Sequence, residues 1–301
     1  MNEKRRLVPS VIFGLVLFAT LVDTPTQAQT EPGGRLVWVR QAGLSASDYA
    51  YDVACSQNGG CFVTGEFWGP TKKESEIYLL SLTSSGSVSW SRHAGGAYSD
   101  RGISIRVEPD PLPPFERLVM RGSGFGTLTF TSPRASPITK HLEDESFFTA
   151  TYSLAGRIQA VVDNPLDECD MPSRKVEYSL GGSSVECGWF DFAMPLDSPL
   201  TSAGGRDGYL LEYDGNGSLS WAVSFGGAGM DWATAVAVLP NEAACVVVGS
   251  FNQRASFPDG LLDVDTDPQI LDALGGRNPD IFVAKFTLRD SDGDSIPDIR
   301  E

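Results

Sequence analysis

Short apolar runs, each closed by turn residues, constrain this chain more tightly than any other feature. Four follow one another between Asp207 and Phe251. Leu210–Tyr213 ends at Asp214-Gly215-Asn216-Gly217, Leu219–Phe225 at Gly226-Gly227, and Ala233–Leu239 at Pro240-Asn241, before Ala244–Phe251. Runs this short, rich in Val, Leu and aromatic residues between Gly, Asn, Asp and Pro, predict antiparallel strands.

The series recurs. A tryptophan strand reads Leu36–Trp38, Val88–Trp90, Ile158–Ala160 (tryptophan replaced) and Leu219–Trp221. An aspartate precedes an apolar run at Asp48, Asp100 and Asp231. The next run is Cys61–Phe67, Arg117–Phe125, Val185–Phe192 and Ala244–Phe251, and the one after it Glu76–Leu82, Ser146–Tyr152, Asp207–Tyr213 and Asp280–Phe286. Self-similarity of this length with variable insertions predicts a repeat architecture. The third copy is the most worn, with an irregular stretch from Asp163 to Lys175.

The segments GRDGYLLEYDGNGSLSWAVSFGGAGMDWATAVAV and GGRNPDIFVAKF resemble the bacterial β-propeller repeat, a family usually described as seven-bladed. The resemblance covers most of Leu36 to Phe286. It implies an all-β propeller, here of four four-stranded antiparallel blades, and it brings no catalytic constellation with it. Within each blade the strand after the aspartate is inner, followed by a second, a third and the outer tryptophan strand. The chain starts on an outer strand and ends on a third, so the first outer strand is expected to complete the last blade, which removes exposed sheet edges; an open arc is the alternative. Outer-to-inner and second-to-third connections then share one face, together with the inserts Trp68–Glu74, Thr127–Asp144, Ala193–Gly205 and Gln253–Asn278. Long loops on a rigid scaffold are where binding concentrates.

The N-terminus reads as a secretory signal over residues 1–28: Lys4-Arg5-Arg6, an apolar stretch from Leu7 to Val22, and small residues at Thr26-Gln27-Ala28. A membrane anchor is the alternative, but Pro9 and Gly14 interrupt a run that is short for a spanning helix. Residues 29–35 are a linker, 36–289 the repeat domain and 290–301 an acidic tail. The expected address is therefore extracellular, at the cell surface or in the periplasm, with no membrane insertion after cleavage. Export permits disulfides. Cys55 and Cys61 flank a turn-rich loop and are expected to pair; Cys169 with Cys187 is a second candidate pair, which would leave Cys245 as a buried apolar residue. The formal net charge of −16 repels phosphate backbones, so nucleic acid is excluded as a partner. A protein or a glycan remains.

Candidate chemistry is sparse. His93 and His141 lie in no nucleophile motif, and with 39 acidic residues chance carboxylate pairs are expected. Asp48, Asp100 and Asp231 are expected to accept backbone N–H bonds and fix the turns entering the inner strands. Trp38, Trp90 and Trp221 are expected to pack between blades, whereas Trp68, Trp189 and Trp232 fall nearer the insert face. Asp263, Asp265 and Asp267 have calcium-like spacing without the following Gly or a distal Glu. The tail DSDGDSIPDIRE is more complete. It places Asp290, Asp292 and Asp294 at loop positions one, three and five, the Ile296 carbonyl at seven, Asp298 at nine and Glu301 at twelve. This is the oxygen-ligand spacing of a calcium loop. The tail also resembles the Asp-rich repeat of thrombospondin type 3 and related bacterial surface proteins, which implies weak calcium binding; Ser295 stands where the EF-hand form has Gly. The function expected is a non-catalytic binding or presentation module. The alternatives are a polysaccharide-acting enzyme with loop carboxylates and a structural spacer of a longer surface protein.

Overall fold

A computed structural model describes residues 33–43, 46–69, 74–112, 116–163, 175–178, 184–240, 243–257, 269–272 and 278–288. The expected signal over residues 1–28, the acidic tail, Cys169 and the Asp263–Asp267 insert lie outside them. The described chain is all-β, and every strand pairing is antiparallel.

Four quartets of strands repeat one order. The first is β2 (Asp48–Cys55), β3 (Cys61–Trp68), β4 (Ser75–Leu82) and β5 (Val88–Gly95). In the second, β6 (Arg101–Pro109), β7 (Glu116–Phe130), β8 (Ile138–Ser153) and β9 (Ile158–Asp163) pair in sequence. The third holds β10 (Lys175–Tyr178), β11 (Ser184–Phe190), β14 (Asp207–Tyr213) and β15 (Leu219–Phe225), with the small hairpin β12 (Ala193–Met194) and β13 (Leu200–Thr201) inserted. The fourth contains β16 (Trp232–Val238), β17 (Ala244–Phe251) and β20 (Asp280–Thr287), with the insert hairpin β18 (Arg254–Phe257) and β19 (Gln269–Asp272). Its outer strand is β1 (Leu36–Ala42), which pairs along β20 from Leu36↔Phe286 to Ala42↔Ile281, with a register shift between Leu36 and Trp38. The N-terminal strand therefore completes the last quartet.

One stretch differs from its sequence expectation. Thr127–Asp144 is no loop: β7 and β8 run on into it and pair from Gly126↔Leu142 to Phe130↔Ile138. Leu128, Phe130 and Leu142 point into the core, so their burial holds the extended hairpin together. Its tip also pairs with β5, at Ala94↔Phe130, and joins the first two quartets into one sheet.

Within each quartet a second-strand glycine faces a third-strand aromatic: Gly65↔Tyr78, Gly122↔Phe148, Gly188↔Tyr209 and Gly249↔Phe282. The ring lies where a Cβ would stand. In three quartets an inner-strand carbonyl (Tyr49, Arg101 or Trp232) crowds the same glycine. The inner strands are bulged beside it, at Ala50/Asp52, Gly102/Ser104 and Ala233/Ala235. Glycine is needed there because no side chain fits between a bulged neighbour and an aromatic face.

Three junctions between quartets repeat one hydrogen bond. The N–H groups of Asp48, Asp100 and Asp231 donate to the carbonyls of Pro279, Ser75 and Arg206, at 2.8, 3.0 and 2.8 Å. These bonds tie the fourth quartet to the first, the first to the second and the third to the fourth. Apolar clusters fill the same junctions: Trp38, Val63, Leu80 and Val246 in one, Ile77, Ile105, Leu118 and Phe148 in the next, Val185, Leu210, Val247 and Phe286 in the last. A disulfide joins Cys55 to Cys61 across the end of the β2–β3 hairpin. Cys187 and Cys245 are buried. No described helix is long and apolar enough to cross a membrane.

Candidate functional site

The outer-to-inner turns and the inserts meet at one end of the sheets. Gly226 exchanges backbone hydrogen bonds with Ser256 of β18, and Gly227 lies against the Arg254 carbonyl. Gly204 of the third-quartet insert lies against Gly227 and Ala228, and Gly96 against Thr127.

Three of the four described outer strands end there at a glycine held between two acidic side chains. Gly43 lies between Asp280 and Asp48, Gly95 between Glu76 and Asp100, and Gly226 between Asp207 and Asp231. The aspartates entering the inner strands are buried and accept backbone N–H bonds. Asp100 accepts from Gly96 at 2.8 Å and Phe125 at 3.4 Å, Asp231 from Gly227 at 2.8 Å and Asn252 at 2.9 Å, and Asp48 from Trp68 at 3.2 Å. Asp100 and Asp231 therefore close their turns, and all three aspartates bond to the following second strand or its end, at Trp68, Phe125 and Asn252. Asp207 accepts from Ala203 at 2.8 Å. Burial pushes the Asp231 carboxyl up to about 7, with the nearby Asp207 adding to the rise and the two N–H donors opposing it. Burial raises Asp207 as well.

At the start of the inner strands stand three half-buried aromatic rings. Tyr49 and Tyr51 project from one side of β2, two residues apart, with ring planes 4° apart and centroids 6.3 Å apart. Trp232, from the neighbouring inner strand, lies 6.2 Å from Tyr49 with planes 23° apart. The Tyr51 hydroxyl donates to Glu66 Oε1 at 2.5 Å. Burial raises the Tyr51 hydroxyl well above the ordinary phenol range, the Glu66 charge raises it further, and the nearby Arg101 charge opposes both. Arg101 Nε is buried with no hydrogen-bond partner among the described residues. The site thus combines apolar faces with a carboxylate acceptor, a hydroxyl and an unused guanidinium N–H, which is the composition of a small-ligand or peptide site.

A cavity of about 80 Å³ lies beside it, between the first and fourth quartets, with Asp48, Phe67, Tyr78, His93 and Ile281 on its wall. The Tyr78 hydroxyl is buried without a hydrogen-bond partner among the described residues. His93 is exposed on β5 and meets Phe67 edge-on at 6.3 Å. His141, also exposed, bonds Thr127 at 2.9 Å. Trp189 stacks under Arg206, whose guanidinium carbon lies 3.5 Å from the ring centroid. The residues proposed for calcium, Asp290, Asp292, Asp294, Ile296, Asp298 and Glu301, lie outside the described residues.

Tyr49, Tyr51, Glu66 and Arg101 carry no motif. What brings them together is cross-strand register, Tyr49↔Glu66, and the strand alternation that places Tyr51 on the side of Tyr49. The one signal available was position: each aromatic or basic residue directly follows a turn aspartate, as Tyr49, Arg101 and Trp232 do. Compared with known proteins, the sequence matches no protein-family model and no curated protein.

Proposed function

We propose that the chain is a closed four-bladed β-propeller, exported to an oxidising compartment or the cell surface, that binds a protein or glycan ligand without chemistry of its own. The ligand would sit at the axial end, on Tyr49, Tyr51 and Trp232, with Glu66 and Arg101 supplying polar contacts. The observation that carries this reading is the row of near-parallel, half-buried rings beside a buried, unsatisfied Arg101 Nε. Such a set offers both stacking area and directed hydrogen bonds. Four strand quartets, three repeated junctions and an N-terminal strand that completes the last quartet support the propeller; the disulfide supports the compartment.

A glycan array and a polysaccharide hydrolysis screen on the chain from Gln29 onward test the site. Binding should fall by about tenfold or more, roughly 1.4 kcal/mol or more, with Trp232→Ala or Tyr49→Ala. Turnover abolished by Glu66→Gln would replace this reading with an enzymatic one.

The acidic tail is proposed as a weak calcium loop, with affinity of about 0.1–1 mM. Calorimetry should show calcium heat from the chain ending at Glu301, and none from one ending at Arg289 or carrying Asp290→Ala. Equal heats from all three would remove the tail as a calcium site.

A further inference from the structure

Between third and outer strands one kind of turn appears three times among the described residues, and only two copies are covered. In Thr83–Ser87, Ser153–Arg157 and Asp214–Ser218 the first residue's N–H bonds the last residue's carbonyl at 2.8–3.0 Å, and the glycine N–H bonds back to the first carbonyl at 2.9 Å. The glycines share a left-handed backbone, with φ of 77° at Gly86, 72° at Gly156 and 77° at Gly217.

Two of these turns are filled by a Trp-x-Arg pair from the preceding quartet's outer strand. Trp38 lays its indole on Gly86 and donates Nε1–H to the Ser84 carbonyl at 3.0 Å. Arg40 donates Nε–H to the Gly86 carbonyl and a terminal N–H to the Ser85 carbonyl, both at 3.1 Å. Trp90 and Arg92 repeat the arrangement: the indole lies on Gly156 and bonds the Leu154 carbonyl at 3.0 Å, and the guanidinium bonds the Gly156 and Ala155 carbonyls at 2.9 and 3.5 Å. Each guanidinium also lies over its own indole, at 5.4 and 5.0 Å. A third indole, Trp221, lies on Gly33 and Gly34, which precede β1 where no such turn exists.

The turn Asp214–Ser218 has none of this. The residue of β9 aligned with the tryptophans is Ala160, and Val162 stands at the arginine position. Nothing among the described residues comes within 4 Å of where a Gly217 Cβ would be. Gly217 is exposed, whereas Gly86 and Gly156 are buried. All six tryptophans are described, so no tryptophan of this chain is left to cover it.

We infer that the turn Asp214–Ser218 is an open socket that captures an extended segment of another protein carrying Trp-x-Arg. Its glycine surface takes the indole, and its Gly215, Asn216 and Gly217 carbonyls take the indole and guanidinium N–H groups. The two filled turns show what fits, and tryptophan and arginine are the side chains that most often anchor interfaces. A second folded copy cannot supply them, because its own Trp-x-Arg pairs are seated in their own turns. This site is independent of the axial one.

A fluorescein-labelled peptide VSWSRHA, the Val88–Ala94 sequence, provides the probe. Anisotropy should show saturable binding to the chain from Gln29 onward. Replacing the peptide's Trp or Arg by Ala should weaken binding about tenfold or more. Two protein variants should weaken it equally. Gly217→Asn keeps a residue that tolerates the left-handed backbone while placing a side chain on the indole surface. Ala160→Trp with Val162→Arg, which rests on the closed ring proposed above, rebuilds the clamp from within and should also raise Tm. Absence of saturable binding up to about 1 mM, or binding undiminished in both variants, would overturn the inference.

Discussion

Asp231 shows how one residue type serves the turns of this fold and what that costs. Its carboxylate must be buried to reach both the Gly227 and Asn252 N–H groups, and burial beside Asp207 lifts its titration to about 7. The native state therefore holds a proton that the unfolded chain releases near pH 4. Between about pH 4 and pH 7 the native chain binds more protons than the unfolded one, so this group's contribution to stability falls as pH rises through that window. Asp231→Asn loses one acceptor and is less stable at every pH, but it cannot titrate. The Tm gap between wild type and Asp231→Asn should therefore be widest at about pH 4 and narrow by a few degrees by pH 8. A gap that stays constant, or widens with pH, would show that Asp231 is ionised throughout. Taking the difference against Asp231→Asn removes the titration of groups that the substitution leaves undisturbed.

At the scale of elements, the strands were legible because their turn chemistry is strong. Asp214-Gly215-Asn216-Gly217 closes β14 where the structure closes it, and the paired cysteines flank a loop whose geometry permits little else. The Gly–aromatic pairs were also present in the aligned runs, at Gly65, Gly122, Gly188 and Gly249, although only the bulged inner strands explain the glycines at 65, 122 and 249. Thr127–Phe130 was missed for a specific reason. Its alternation of Thr with Leu128 and Phe130 is a strand signal, but Gly122, Gly124 and Gly126 just before it look like a stop. In the structure Gly126 is a left-handed step within a continuing hairpin, and Leu128 and Phe130 are fully buried. The cluster of Tyr49, Tyr51, Trp232 and Glu66 was legible only through the place of Tyr49 and Trp232 after turn aspartates. Tyr51 reaches Glu66 diagonally across the β2–β3 pair, and that register cannot be read from composition. The open turn at Gly217 is the reverse case: Ala160 in place of tryptophan was visible in the sequence, and only the filled turns at Gly86 and Gly156 reveal what its absence uncovers.

For the whole molecule the decisive strand is β1. It is the first described strand of the chain and yet lies in the last sheet, along β20. Leu36 and Val39 enter the cluster shared by the third and fourth quartets, while Trp38 and Ala42 enter the one shared by the fourth and first. Arg40 and Trp38 also reach across to the turn at Gly86, and Gln41 bonds Asp280 at 3.0 Å. One strand thus holds three quartets together, and its loss would expose the full length of β20 as a sheet edge. Deleting Leu36–Arg40 from the chain starting at Gln29 should remove the buried side chains of Leu36, Trp38 and Val39 together. Each large apolar loss costs about 2–5 kcal/mol, so the sum is comparable to the net stability of a domain. The deleted chain should unfold at a Tm lower by ten degrees or more on this order of magnitude, or fail to unfold cooperatively. Added LVWVRQA peptide should restore part of the loss, because the groove it fills is defined by β20 and the turn at Gly86. An unchanged Tm after deletion would mean that the N-terminal strand decorates the last sheet without closing the molecule.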